Sequence, residues 1–176
     1  MFSGCLEDAV GTGGLKIGIA QPYTGVASRW GKVSTRSFLS GLASAYEEEP
    51  VLLNPDGFWA GERAVFEPGD RKYEVVLRDT TFNPSTAEQA TTDLLTEENV
   101  DILYGIIDSS SAIRVIEQVV SQTDTLYMAG GTASMRVTSE PNLCGRKIFR
   151  TSEHIGMEAR AIGTYIGQET DTETAY

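Results

Sequence analysis

Short apolar runs alternate with amphipathic stretches about four times along this chain, and that alternation restricts the fold more than any other feature. The runs are Leu15–Ala20 (LKIGIA), Tyr73–Arg78 (YEVVLR), Val100–Gly105 (VDILYG) and Thr125–Met128 (TLYM), with a shorter fifth at Lys147–Arg150 (KIFR). Continuous apolar runs of this length, bounded by turn residues, read as strands buried on both faces. Between them lie helical patterns. Val33, Phe38, Leu42 and Ala45 or Tyr46 share one face, as do Ala87, Ala90, Leu94 and Leu95. A third pattern is carried by Ala112, Ile113, Ile116, Val119 and Val120, and a last one by Ile155, Ala159, Ile162 and Ile166. Asn83-Pro84 announces the second helix, since Asn caps well and Pro suits the first helical position. The expected fold is α/β, a parallel Rossmann-like sheet with helices on both faces. No repeat is visible.

In such sheets, ligands sit beyond the carboxyl ends of the strands. That directs attention to residues 21–31, 79–83, 105–111 and 129–134. Ser109, Ser110 and Ser111 open a helix, whose free N–H groups and partial positive charge suit a carboxylate or other small anion. Plain N-capping explains any single one of these serines equally well. Gly130, Gly131 and Thr132 form a loop whose carbonyls and hydroxyl can accept from an ammonium group, although an ordinary tight turn has the same composition. Trp30 is either an apolar wall of the site or a core residue.

An enzyme needs a nucleophile beside a base. Ser109, His154 and Asp108 supply the residue types. No Gly-x-Ser-x-Gly elbow surrounds Ser109, however, and Gly11-Thr12-Gly13-Gly14 precedes the first strand instead of following it, so it is no dinucleotide fingerprint. Catalysis is not expected, nor is any cofactor.

The net charge of −11 in 176 residues, with ten Arg, four Lys and 25 acidic residues, disfavours a nucleic-acid partner. An ordinary acidic protein and one adapted to high salt both fit this balance. Two cysteines and one histidine cannot build a disulfide framework or a Cys-rich metal site. No stretch approaches the ~20 apolar residues needed to span a bilayer.

The chain opens Met1-Phe2-Ser3-Gly4-Cys5, which has the form of the tail of a lipobox, in which Cys5 takes a lipid. Residues 1–14 then read as a lipobox remnant and flexible tether. The core lobe is expected over 15–168, with an acidic, Gly- and Pro-rich surface insertion at 47–72 that forms a hairpin around Trp59. Residues 169–176 read as a frayed tail.

In order and spacing, LKIGIAQPYTG with RWG, VVLRDTTFNPSTA, VDILYGIIDSSSA, and GGTAS followed by KIFRTS resemble one family. It is the type 1 periplasmic-binding-protein fold, in its branched-chain amino-acid branch, which feeds ABC importers. The likeness runs from Leu15 to about Gly167. It implies the N-terminal lobe of a solute-binding lipoprotein outside the cytoplasm, at the cell surface, working with the membrane subunits of an importer. It implies that Ser109, with Ser110 and Asp108 beside it, holds a ligand carboxylate. It further implies that the Gly130 carbonyl and Thr132 hydroxyl hold an ammonium, and that Trp30 lies against the ligand.

Three departures accompany the resemblance. Residues 47–72 are longer than the family's usual link. The Asp that often follows Arg-Thr-Ser is replaced near Ile155, which leaves the ligand class open. Finally, the chain stops at Tyr176, where a second lobe is expected to begin, so the isolated lobe is expected to bind very weakly or not at all. A sensory receptor lobe, an α/β enzyme fragment and the product of a broken gene are the alternative readings.

Overall fold

The computed structural model describes residues 14–47, 51–52, 63–67 and 72–169. Seven strands form one sheet in the order β2-β3-β4-β1-β5-β6-β7. In chain order these are β1 (Leu15–Gln21), β2 (Val51–Leu52), β3 (Arg63–Phe66), β4 (Tyr73–Asp79), β5 (Ile102–Gly105), β6 (Leu126–Ala129) and β7 (Ile148–Arg150). The five strands β4, β1, β5, β6 and β7 run parallel, as the alternating pattern predicts. The segment 47–72 does more than form a surface excursion: β2 and β3 pair antiparallel, β3 extends the sheet alongside β4, and Ala64 is wholly buried. Its expected hairpin tip at Trp59 lies outside the described residues, as do Cys5, the tether before Gly14 and the tail from residue 170.

The helices are α1 (Ser28–Tyr46), α2 (Pro84–Thr96), α3 (Ser109–Gln118), the short α4 (Arg136–Ser139) and α5 (Ile155–Glu169). On one face α2 and α3 bury Ala87, Leu94, Ala112, Val115 and Ile116 against Val76, Leu103 and Tyr127 of the sheet. On the other face α1 covers Ile17, Ile19, Val75 and Leu77. The Asn83 side chain caps α2, accepting from the N–H groups of Ser85 at 2.9 Å and Thr86 at 3.2 Å.

Two helical faces differ from expectation. The buried positions of α1 are Gly31, Thr35, Leu39 and Ala43. Phe38, Leu42 and Tyr46 are half-buried at its flank, while Ala45 is exposed and Val33 is 52% exposed. The reason is close approach: a β-carbon on Gly31 would lie 2.0 Å from the Pro22 carbonyl, and the Thr35 hydroxyl bonds that of Tyr23 at 2.8 Å. A Gly and a Thr facing the sheet do not register as an apolar stripe. Helix α5 forms as predicted, but its apolar positions are not covered. Ile155 and Ile162 are 56% and 60% exposed, Ala159 is exposed and Ile166 is half-buried.

Candidate ligand-binding site

The parallel register aligns the carboxyl ends of the strands. Gln21 lies opposite Asp79, while Ala20, Gly105, Ala129 and Arg150 lie side by side. Chain order reverses at β1: β4 follows it on one side and β5 on the other. The β1–β5 boundary is therefore the topological switch point of a doubly wound sheet, the place where such folds carry their ligand crevice.

The crevice is organised by Gln21, which is fully buried. Its Nε2 donates to Ser34 Oγ at 2.9 Å and, at a long 3.5 Å, to the Gly130 carbonyl; its Oε1 accepts from Ile107 N–H at 3.2 Å. One side chain thus joins α1, the loop after β5 and the loop after β6. The β5 loop turns through Gly105 (φ 124°) and Ile106 (φ 61°). A β-branched residue in the left-handed region is an outlier that costs about 1–3 kcal/mol and persists only where its surroundings fix it. Here Ile106 donates to the Ala20 carbonyl at 2.8 Å, and its own carbonyl accepts from the Thr132 hydroxyl at 2.7 Å. The buried Tyr127 hydroxyl donates to the Gly105 carbonyl at 3.2 Å, and burial pushes that phenol up from its ordinary pKa.

Ser109, Gly130 and Thr132 enter one network; Trp30 does not join it. Ser109 begins α3, and its Oγ accepts from Ser134 N–H at 3.2 Å. Its own N–H, one of the orphan donors of a helix start, has no acceptor among the described residues. Gly130 N–H donates to the Gly105 carbonyl at 3.1 Å, and a β-carbon at Gly130 would lie 2.5 Å from the Tyr104 ring, so only Gly fits. Thr132 is fully buried with its hydroxyl given to Ile106. It supports the loop from behind, which corrects the expectation of a hydroxyl facing a ligand. Trp30, on the first turn of α1, is 69% exposed and therefore no part of the core. Ser110 is exposed and its Oγ donates to Asp108 at 2.7 Å.

The residue types of a hydrolase are present but engaged elsewhere. Asp108 caps α3, accepting from Ser110 N–H at 3.1 Å and Ser111 N–H at 3.0 Å. His154 Nδ1 accepts from the N–H groups of Gly156 at 3.2 Å and Met157 at 3.3 Å, at the start of α5. Neither approaches Ser109 as a base.

Four contributors escaped the sequence reading: Gln21, Ile106, Ser134 and Arg150. Arg150, at the end of β7, donates through its two terminal nitrogens to the carbonyls of Thr132 and Ser134. Burial holds its guanidinium below the ordinary arginine value. Their roles depend on partners far along the chain; only the serines of loop 105–111 and the glycines of loop 129–134 pointed to the region.

Comparison with solved structures shows the same fold. An ABC transporter substrate-binding protein from Sphaerobacter thermophilus superposes with a TM-score of 0.70 at 18% identity, over 89% of this chain and 37% of that one. A solute binding protein of an ABC transporter from R. palustris, in complex with benzoate, gives 0.66 at 24% identity, over 88% and 37%. A branched-chain amino acid transporter substrate binding protein from Streptococcus pneumoniae, in complex with isoleucine, gives 0.63 at 14%, over 89% and 39%. The chain therefore spans less than two fifths of the length of these proteins. No curated protein matches it in sequence. A family model described as periplasmic binding protein matches residues 14–176. With that match over nearly its whole length, and with the fold just described, the chain belongs to the periplasmic binding protein family.

Proposed function

We propose that this chain is one ligand-binding lobe of the solute-binding component of an ABC importer, acting outside the cytoplasm without catalysis. The observation that carries the proposal is the convergence at the β1–β5 switch point of a strained, fully braced turn with Ser109, whose N–H finds no acceptor and whose hydroxyl hydrogen is uncommitted. Bracing of this kind fixes polar groups in place for a ligand instead of leaving them to pair locally. In this reading Ser109 donates to a polar head group, the Gly130 carbonyl accepts from it, and Ser110 and the exposed Trp30 flank it. Thr132 holds the loop in shape.

Two of the solved structures hold benzoate and isoleucine, small molecules with one polar end and an apolar body, and a ligand of that kind is the one proposed here. In the whole protein the molecule is enclosed by a second lobe, and importer membrane subunits receive it. Cys5 carries a lipid anchor in this reading, and no cofactor or nucleic acid takes part.

Saturation-transfer NMR on the chain with leucine, benzoate and benzamide tests the proposal. Binding is expected in roughly the millimolar range, because one lobe buries only part of a ligand. Replacing Ser109 with Ala is expected to weaken it by about 5- to 50-fold, the loss of one or two hydrogen bonds. Equal signals from the Ser109→Ala variant would remove the basis of the reading.

A further inference from the structure

The charges of this chain are unevenly placed. Of its 25 acidic residues, none falls between Asp8 and Glu47. That stretch contains all of α1, whose charged residues are Arg29, Lys32 and Arg36. The helical repeat sets Arg29, Val33, Arg36 and Ser40 on one face, opposite the Gly31, Thr35, Leu39 and Ala43 that meet the sheet, and all four are exposed. Asp79 reaches the loop before α1, but its oxygens accept from Tyr23, Thr24 and Thr81. A chain of net charge −11 therefore turns a basic helix face outward.

Apolar side chains stand out beside those cations. Val26, in the loop leading into α1, is 96% exposed, and Val33 is more than half exposed. Trp30, which the reading above sets at the rim of the ligand edge, borders them and is also exposed. Single exposed apolar residues are ordinary. Three so close together, interleaved with cations, match a bilayer surface: the cations are drawn to anionic head groups, and aliphatic and Trp side chains enter the boundary beneath. The outer face of a helix is convex, so it meets a flat, deformable surface without a matching pocket. Acids on the other faces oppose such contact only weakly, because at about 0.15 M salt charges more than ~8 Å away are largely screened.

We propose that the outer face of α1, with Val26 before it, is a docking surface for anionic lipid head groups. It does not depend on whether the strand edge holds a small molecule.

Co-sedimentation of the chain with vesicles tests the proposal, at about 0.15 M salt. Vesicles of equal parts phosphatidylglycerol and phosphatidylcholine are expected to bind the chain at least tenfold more tightly than phosphatidylcholine alone, and less tightly as salt rises. Arg29→Gln is expected to weaken binding about fivefold, and Arg29→Gln with Arg36→Gln about 25-fold, since each cation near an anionic surface contributes about that factor. Arg160→Gln removes the same charge from α5 and is expected to change binding by less than twofold. Ser109→Ala is expected to bind vesicles as the unaltered chain does, which keeps this result apart from the ligand-binding reading. Equal binding to both vesicles, binding to neither, or an Arg160→Gln loss as large as that of Arg29→Gln overturns the proposal. So does self-association without vesicles that Arg29→Gln abolishes while no vesicle binds, which would assign the face to the acidic surface of a second copy. Arg29 is exposed in the first turn of α1, so if the double variant does not fold, the single one decides.

Discussion

Asp79 ties the loop after β1 to the turn that follows its own strand, β4. Its Oδ1 accepts from Tyr23 N–H and Thr81 N–H, each at 2.8 Å, and its Oδ2 accepts from the Thr24 hydroxyl at 2.6 Å. Burial raises its pKa, but the Thr24 hydroxyl and the N–H groups of Thr81, Tyr23 and Thr24 outweigh that, so the carboxyl is held below its ordinary value. A carboxyl held lower in the folded state than in the unfolded chain contributes stability that is present above the unfolded pKa. That stability is lost as pH falls through the folded one. Chemical denaturation of the protein is therefore expected to show stability falling as pH drops below about 5, through the ordinary aspartate value of about 3.9 and on through the lower folded value. The Asp79→Asn variant is expected to be less stable at pH 7 and to show a shallower fall. An identical slope in both would remove Asp79 from this role. Ser109 was legible in the sequence because a run of hydroxyls after an apolar strand marks a helix start near the sheet edge. The function of Thr132 was not, because its burial depends on Ile106, and Gln21 gave no local signal at all: its partners are Ser34, Ile107 and Gly130.

At the scale of elements, the strands and the helix cap at Asn83 follow from patterning and turn chemistry, and their observed ends lie within one or two residues of expectation. Patterning fails where a helix meets the sheet through small or polar residues, as α1 does through Gly31 and Thr35. It also fails for β3, whose Arg63–Phe66 segment is only four residues long within a Gly- and Pro-rich stretch and so does not announce a strand. For α5 the pattern correctly gives a helix, yet periodicity does not say what the helix packs on. Ile155, Met157, Ile162 and Tyr165 are all more than half exposed. Isolated helices of about 15 residues are marginal in water. Amide hydrogen exchange in this chain is expected to be fast across α5, near the rate of a free helical peptide. It is expected to be slower by at least two orders of magnitude in β1 and α3, which hold the core. Protection in α5 equal to that of α3 would contradict the exposed arrangement.

Across the whole molecule, the two faces of the sheet are unequally covered. One carries α2 and α3; among the described residues the other carries α1 alone. This leaves an open groove of about 440 Å³ beside Phe38, Leu42, Tyr104 and Met128, with Phe149 52% exposed nearby. The groove is largely apolar, with Ser37 and Thr151 as polar side chains on its wall, whereas the strand edge has Ser109, Gly130 and a braced turn. Apolar area alone favours the groove as a place for a small molecule; preorganised donors and acceptors favour the edge, and these supply orientation and specificity. The most direct test is a crystal structure of the chain soaked in turn with benzamide and with leucine at saturating concentration. The expected result is a bound molecule within hydrogen-bond distance of Ser109 Oγ and the Gly130 carbonyl, at the carboxyl ends of β1, β5 and β6. A molecule seated in the groove between Phe38 and Met128, with the edge empty in both crystals, would contradict it.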